Sequence, residues 1–206
     1  MSNSSQNGQI EIKDNWKAFG IVMGALSTRS IMYYALISFV PLFLVANLGQ
    51  SESFSSSVIS LFAMIGAIGT IASGWVGQRT GAKQLIVGSY AIAAVLIALF
   101  AFNQSLVVAL VIVVVLAIFV DLSYPSAVAL GQSFVPNHLG MASGISFGVM
   151  VCIGGVMSPV LGLVGDAVGL RPVMMLLALI AFVGVVIALF IPSKKGLRRM
   201  GMGETI

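Results

Sequence analysis

Gly74-Trp75-Val76-Gly77-Gln78-Arg79-Thr80-Gly81-Ala82-Lys83 lies between two long apolar runs. A looser echo, Gly162-Leu163-Val164-Gly165-Asp166-Ala167-Val168-Gly169-Leu170-Arg171, returns 88 residues later in the same setting. Each stretch is a glycine-rich, charged elbow between the second and third members of a set of three hydrophobic segments. Two such sets give six segments with internal symmetry, the layout expected of one half of a secondary carrier. A soluble enzyme has no use for it.

Composition agrees with this reading. The chain is 59% hydrophobic and 8% charged, with a mean hydropathy of +1.09, which leaves too little polar surface to cover a soluble globule. A spanning helix needs about 20 mostly apolar residues, and spans are predicted near residues 18–47, 54–77, 84–102, 105–130, 140–164 and 172–192. The organisation that follows is a polar head at 1–16, a six-helix transmembrane bundle at 17–193 with repeats at about 17–102 and 105–192, and a basic tail at 194–206. The expected fold class is an all-α membrane protein built from two inverted three-helix repeats.

The head carries Ser, Asn and Gln where a secretory signal would have a basic start and an apolar core, so the first span is the expected insertion signal. Lys13, Lys17, Arg79, Lys83, Lys194, Lys195, Arg198 and Arg199 fall on one side of the spans, and Arg171 alone on the other. The excess of Lys and Arg marks the cytoplasmic side, which places both termini in the cytoplasm and the protein in the inner (plasma) membrane. Trp16 and Trp75 then sit at the cytoplasmic interface. An even number of spans makes the second set of three run opposite to the first.

Several function classes are excluded. The formal charge of +4 is distributed over span ends and forms no stripe, so nucleic acid is not an expected partner. Cys152, the one cysteine, lies in an apolar glycine-rich span and offers neither an intrachain disulfide nor a thiol metal cluster. There is no phosphate-binding loop, no paired His and Glu on a metal helix, and no Ser, His and Asp set. His138, the one histidine, falls in a turn and reads first as a solvated loop residue and second as a proton relay. The chain is expected to be no enzyme and to hold no metal or cofactor, with a proton gradient as the driving force for transport.

Arg29 and Asp121 are the costliest residues, because each lies inside a span flanked by apolar sequence, where a charge asks for a partner or water. Arg29 is twelve residues past Lys17 and Asp121 eleven before Gln132. At 1.5 Å per helical residue they lie roughly 18 and 16 Å from the same end and are able to meet. Tyr33 follows Arg29 by four residues, and Tyr124 and Pro125 follow Asp121 by three and four, so each charge shares its helical face with an aromatic residue. Arg29 is suited to holding an anion in a bidentate manner or to pairing. Asp121 is suited to pairing or to carrying the coupling proton. A static ion pair fixing two helices is the plainer alternative. Gln132 reads as lining the cytoplasmic mouth or as capping its helix. Asp166 and Arg171 read as a pair at the outer elbow.

Glycine lets neighbouring backbones approach and permits positive φ in a tight elbow. Gly66 and Gly69 in the second span, and the ladder Gly140, Gly144 and Gly148 in the fifth, are expected to be helix contacts. Pro41, Pro125 and Pro159 each remove a backbone donor and are candidate kinks.

The first elbow resembles the loop between paired spans of the major facilitator superfamily, whose pattern runs Gly, two variable positions, a small residue, Asp, Arg, a variable position, Gly and two basic residues. Gly74, Gly77, Arg79, Gly81 and Lys83 match; Gln78 replaces the usual acid and Ala82 a frequent base, which weakens a charge lock there. The stretch from Gly131 to Gly144, the run Gly154 to Pro159, and Arg29-Ser30 with Tyr33, Phe39, Pro41 and Leu42 resemble the fosmidomycin resistance branch. The resemblance implies a carrier of two six-span halves, of which this chain resembles the second, its head resembling the linker between halves; a fragment, a truncated gene or a separately made subunit all fit. It implies that the first span of each repeat lines the central cavity, so that Arg29 and Asp121 face the substrate path. The function implied is proton-coupled efflux of a drug or small anionic metabolite such as fosmidomycin. The implied partners are the lipid bilayer, the substrate, and a complementary six-helix half or a second copy. A non-transporting subunit or inactive remnant, and a lipid-handling or assembly factor, are the rival readings.

Overall fold

A computed structural model describes residues 14–192; the basic tail and all but the last residues of the polar head lie outside the described residues. Every regular element within them is helical: α1 (Trp16–Leu48), α2 (Glu52–Thr80), α3 (Ala82–Phe102), α4 (Leu106–Phe134), a short 3-10 turn (Pro136–His138), α5 (Leu139–Val168) and α6 (Leu170–Leu189). Six of these are long and apolar enough to cross a membrane. The shortest, α6, has 20 residues and so reaches about 30 Å, the thickness of the hydrocarbon core. Each lies where the hydropathy pattern puts a span, to within a few residues at either end.

Local chemistry sets the helix ends. Asn15 Oδ1 accepts the Ala18 amide at 3.0 Å to open α1, and Ser51 Oγ accepts the Phe54 amide at 3.2 Å to open α2. Gly49 closes α1 in the left-handed conformation at φ 64°. The two elbows are built alike: a single glycine at φ 88° (Gly81) or 90° (Gly169) separates α2 from α3 and α5 from α6. In each the break amide is bonded back one turn, Gly81 to the Gly77 carbonyl at 2.9 Å and Gly169 to the Gly165 carbonyl at 2.8 Å. Pro41, Pro125 and Pro159 lie within α1, α4 and α5, which run through them.

The repeats pack by exchange. α2 packs chiefly on α4 of the other repeat, and α5 chiefly on α1; α1 meets α4 directly, and α3 meets α6. This is the contact pattern of a pseudo-two-fold pair, and it places the first helix of each repeat at the centre. The apolar core runs along α1 through Val22, Ala25, Leu26, Leu36, Val40 and Phe43. Buried polar ties cross it: Tyr90 Oη donates to the Ala25 carbonyl at 2.8 Å, joining α3 to α1. Lys83 Nζ donates to the Leu189 carbonyl at 2.7 Å, so the start of α3 satisfies the end of α6.

The glycines divide into two groups. A Cβ at Gly66 would collide with Asp121 Oδ2, and one at Gly69 would lie 2.6 Å from the Ile118 carbonyl oxygen, so both are close contacts of α2 with α4. The ladder meets no helix among the described residues: Gly140, Gly144 and Gly148 are exposed, and a Cβ at any of them would meet nothing within 4 Å. Spacing of four aligns residues on one face of a helix but does not bring a neighbour to that face. The expected pair of Asp166 and Arg171 is corrected, since both are exposed and make no ion pair among the described residues.

Candidate functional site

The central pair of helices carries the buried charges. Arg29 is 3% and Asp121 9% exposed, and Arg29 Nη2 donates to Asp121 Oδ1 at 2.5 Å. Arg29 Nε donates to the Val120 carbonyl at 3.1 Å. One edge of the guanidinium is therefore bound to α4, and Nη1 is buried with no partner. This narrows the bidentate expectation, because the planar edge formed by Nε and Nη2 already holds α4. Buried charges of opposite sign at this depth satisfy each other, and removal of either would leave the other uncompensated.

Aromatic side chains wall the cation. The Arg29 Cζ lies 5.1 Å from the Tyr33 ring centre and 4.4 Å from that of Tyr124, within the range of cation–π attraction. Behind each tyrosine stands a phenylalanine of the next helix: Phe62 of α2 at 6.2 Å from Tyr33, and Phe147 of α5 at 6.4 Å from Tyr124. The two sides differ in access, with Phe62 1% exposed and Phe147 56%. The Tyr124 hydroxyl, like Arg29 Nη1, is buried without a partner.

Asp121 is held from the other side by what α2 lacks. Its Oδ2 occupies the space that a side chain at residue 66 would fill. Gly154, 88 residues on, takes the same part in the second repeat: a Cβ there would collide with the Tyr34 ring and lie 2.9 Å from the Ser30 carbonyl of α1. The sequence reading expected Gly66 to be a helix contact but did not set it against Asp121 and gave Gly154 no contact, although the 88-residue period of the elbows, applied to α2 and α5, pairs the two glycines directly. It also gave no role to Phe62 and Phe147, which carry no signal beyond their apolarity.

The remaining sequence-selected residues lie apart from this cluster. Gln132 Nε2 donates to Ser143 Oγ at 2.9 Å and ties the end of α4 to α5. Gly74, Gly77 and Gln78 of the first elbow line, with Ser73, Pro125 and Ser126, a cavity of about 310 Å³ between α2 and α4. Ser73 and Ser126 bond to each other at 2.8 Å, and a Cβ at Gly77 would come within 2.9 Å of Ser126 Oγ. Arg79 stacks on Trp75 at 4.0 Å. In the second elbow a Cβ at Gly162 would meet nothing within 4 Å, while the space above Gly165 is bounded by Val173 and Phe39. His138 is half exposed, with Nδ1 2.7 Å from Asp14 Oδ2, so the histidine of the α4–α5 turn is tied to the residues just before α1. Among the described residues no group of three or more His, Cys, Asp or Glu side chains is placed to hold a metal ion.

Comparison with known proteins bears on the whole of this architecture. The family model of the Major Facilitator Superfamily matches residues 16–200. The chain is 31% identical over 144 residues to the uncharacterized MFS-type transporter YfnC of Bacillus subtilis (strain 168), an alignment covering 70% of this chain and 35% of that protein. It is 25% identical over 180 residues to the fosmidomycin resistance protein of Escherichia coli (strain K12), covering 86% and 43%. Among solved structures, the transporter FucP in the outward conformation superposes with a TM-score of 0.74 at 23% identity, over 87% of this chain and 43% of that one. The fucose:proton symporter FucP of E. coli gives 0.71 at 24%, over 85% and 43%. These structural likenesses carry the fold alone. The chain spans less than half the length of the relatives it matches.

Proposed function

This chain belongs to the Major Facilitator Superfamily, and on that premise we propose that it supplies one six-helix half of a proton-coupled exporter of small anionic compounds, with fosmidomycin as the first substrate to test. It is a multi-pass membrane protein with the helical fold of a carrier half. The observation that carries the proposal is the buried Arg29–Asp121 pair between the two central helices, walled by Tyr33 and Tyr124. A carrier of anions needs a cation that the bilayer cannot solvate away, and a proton-coupled one needs a group that gains and loses a proton within reach of it. The likeness to the fosmidomycin resistance protein supports an oxyanion as cargo.

The same reading places the inner membrane around the bundle and the basic end, with Arg79 and Lys83, in the cytoplasm, in line with the excess of Lys and Arg there. It assigns the exposed face of α5, with Gly140, Gly144 and Gly148, to a complementary half or a second copy. Support comes from α5 having the fewest buried residues of the six spanning helices and from a glycine face that no helix among the described residues meets.

Accumulation of labelled fosmidomycin in drug-sensitive cells tests the proposal. The chain is expressed alone and with a first half taken from a related carrier, and insertion is checked in both. Efflux that collapses with an uncoupler and is lost in Arg29→Ala is the expected result. Normal insertion with no efflux in either arrangement would favour the rival reading of a non-transporting subunit.

A further inference from the structure

We propose that Arg29 Nη1 and the Tyr124 hydroxyl form the subsite for a single oxyanion group of the substrate, a carboxylate, phosphonate or phosphate, filled while Asp121 remains paired to the same guanidinium. This rests on the reading of the chain as an anion carrier and specifies how the anion is held. Both atoms are polar and buried without a hydrogen-bond partner. Leaving such groups unmet in a bilayer is costly. Nη1 can only donate, and the phenol is at its best as a donor toward a charged oxygen. Two donors without acceptors on one stacked Arg–Tyr unit ask for an anionic acceptor.

The position of the subsite follows from what is already occupied. Nε and Nη2 are held by the Val120 carbonyl and by Asp121, so the open end of the guanidinium is Nη1. The Tyr124 ring, 4.4 Å from Cζ, is the closer of the two stacked tyrosines. On the Tyr33 side Phe62 is sealed in the core, whereas Phe147 beside Tyr124 is 56% exposed. The substrate therefore reaches the subsite past Phe147 of α5, and displacement of that ring opens it. Oδ1 of Asp121 stays on Arg29, and the substrate adds to the ion pair without replacing it.

The test is binding of phenylphosphonate to the purified full chain in lipid nanodiscs, with benzyl alcohol as the uncharged comparison. Phenylphosphonate is expected to bind and benzyl alcohol not. Tyr124→Phe is expected to weaken phenylphosphonate binding about tenfold or more while leaving the melting temperature of the ligand-free chain unchanged or raised. That second readout separates a ligand contact from a structural one, since the hydroxyl has no partner to lose in the free state. Unchanged affinity in Tyr124→Phe would overturn this subsite and leave anion transport standing. Failure of the unaltered, folded chain to bind either phenylphosphonate or benzoate would overturn both.

Discussion

The two exchanged helix pairs, α2 on α4 and α5 on α1, are the same contact made twice, and they have been put to different uses. Gly66 and Gly154 stand 88 residues apart, each where a neighbouring helix leaves no room for a side chain. Against Gly66 the neighbour is the Asp121 carboxylate; against Gly154 it is the Tyr34 ring. The α2–α4 seam continues through Gly69, set against the Ile118 backbone, and the buried Ser73–Ser126 pair. The α1–α5 seam continues through the exposed Ser38–Ser158 pair at 2.9 Å. An inverted repeat therefore fixes where two helices touch but not what is placed at the contact. Here only one copy received a charge.

Breaking that charge should have the largest effect. Arg29→Ala or Asp121→Ala leaves its partner buried and uncompensated, at an expected cost of about 3–5 kcal/mol, read as lost yield of inserted, folded protein. Arg29→Met combined with Asp121→Leu should restore much of that yield and no efflux. Recovery of efflux in the double variant would reduce the pair to a structural tie. Asp121→Asn is the finer probe: it should abolish gradient-driven transport while retaining part of substrate exchange, and equal loss of both would point away from proton coupling. Arg29→Lys keeps the charge but not the planar edge that holds Val120 and Asp121 together, and should transport far less than the unaltered chain.

The glycine contacts come next and sharpen the comparison between seams. Gly69→Ala presses a methyl group against a carbonyl of α4 that cannot swing aside, and overpacking of this kind costs about 1–3 kcal/mol. Gly66→Ala meets a side chain instead. Its cost should nearly vanish in a background of Arg29→Met and Asp121→Ala, where the carboxylate is gone, whereas the cost of Gly69→Ala should persist there. Gly154→Ala should fall between these, because Tyr34→Ala relieves the ring but leaves the Ser30 carbonyl at 2.9 Å. If all three alanines behaved alike in every background, the distinction drawn between the seams would fail. Thermal unfolding in nanodiscs reads each case.

How much of this was legible in the sequence depends on whether the signal was carried by one helix or by two. The six spans were, because hydropathy over about 20 residues belongs to the segment itself. The elbows were, because several glycines clustered with charged residues between two long apolar runs mark a turn from the local sequence, and Gly81 and Gly169 take the positive φ expected there. That Arg29 and Asp121 could meet was legible from their matching depth; that they do pair was not, because the packing of α1 on α4 is a tertiary contact. The use of the Val120 carbonyl by Nε was not legible, because a backbone acceptor has no residue type to betray it. Asp166 and Arg171 flank a glycine that redirects the chain, so their nearness in sequence did not bring their charges together. Gly66 and Gly69 met a neighbour in this chain and Gly140, Gly144 and Gly148 did not, although spacings of three and of four both align residues on one helical face.

That last contrast gives the smallest expected effect and the one that speaks to assembly. Alanine at Gly140, Gly144 or Gly148 adds a methyl group to open space and removes the backbone freedom that glycine costs a helix. The melting temperature of the chain by itself should therefore stay level or rise slightly. Coexpressed with a complementary half, the triple variant should lose association, since a helix that packs on glycines sits too close to admit three methyl groups. Crosslinking yield between the halves, compared with that of the unaltered chain at equal insertion, measures this. Loss of association without loss of stability would assign the ladder to the face between halves. Unchanged association would leave it facing lipid, and would show that a regular spacing of glycines marks a helix contact only where a neighbouring helix is present, as at Gly66 and Gly69.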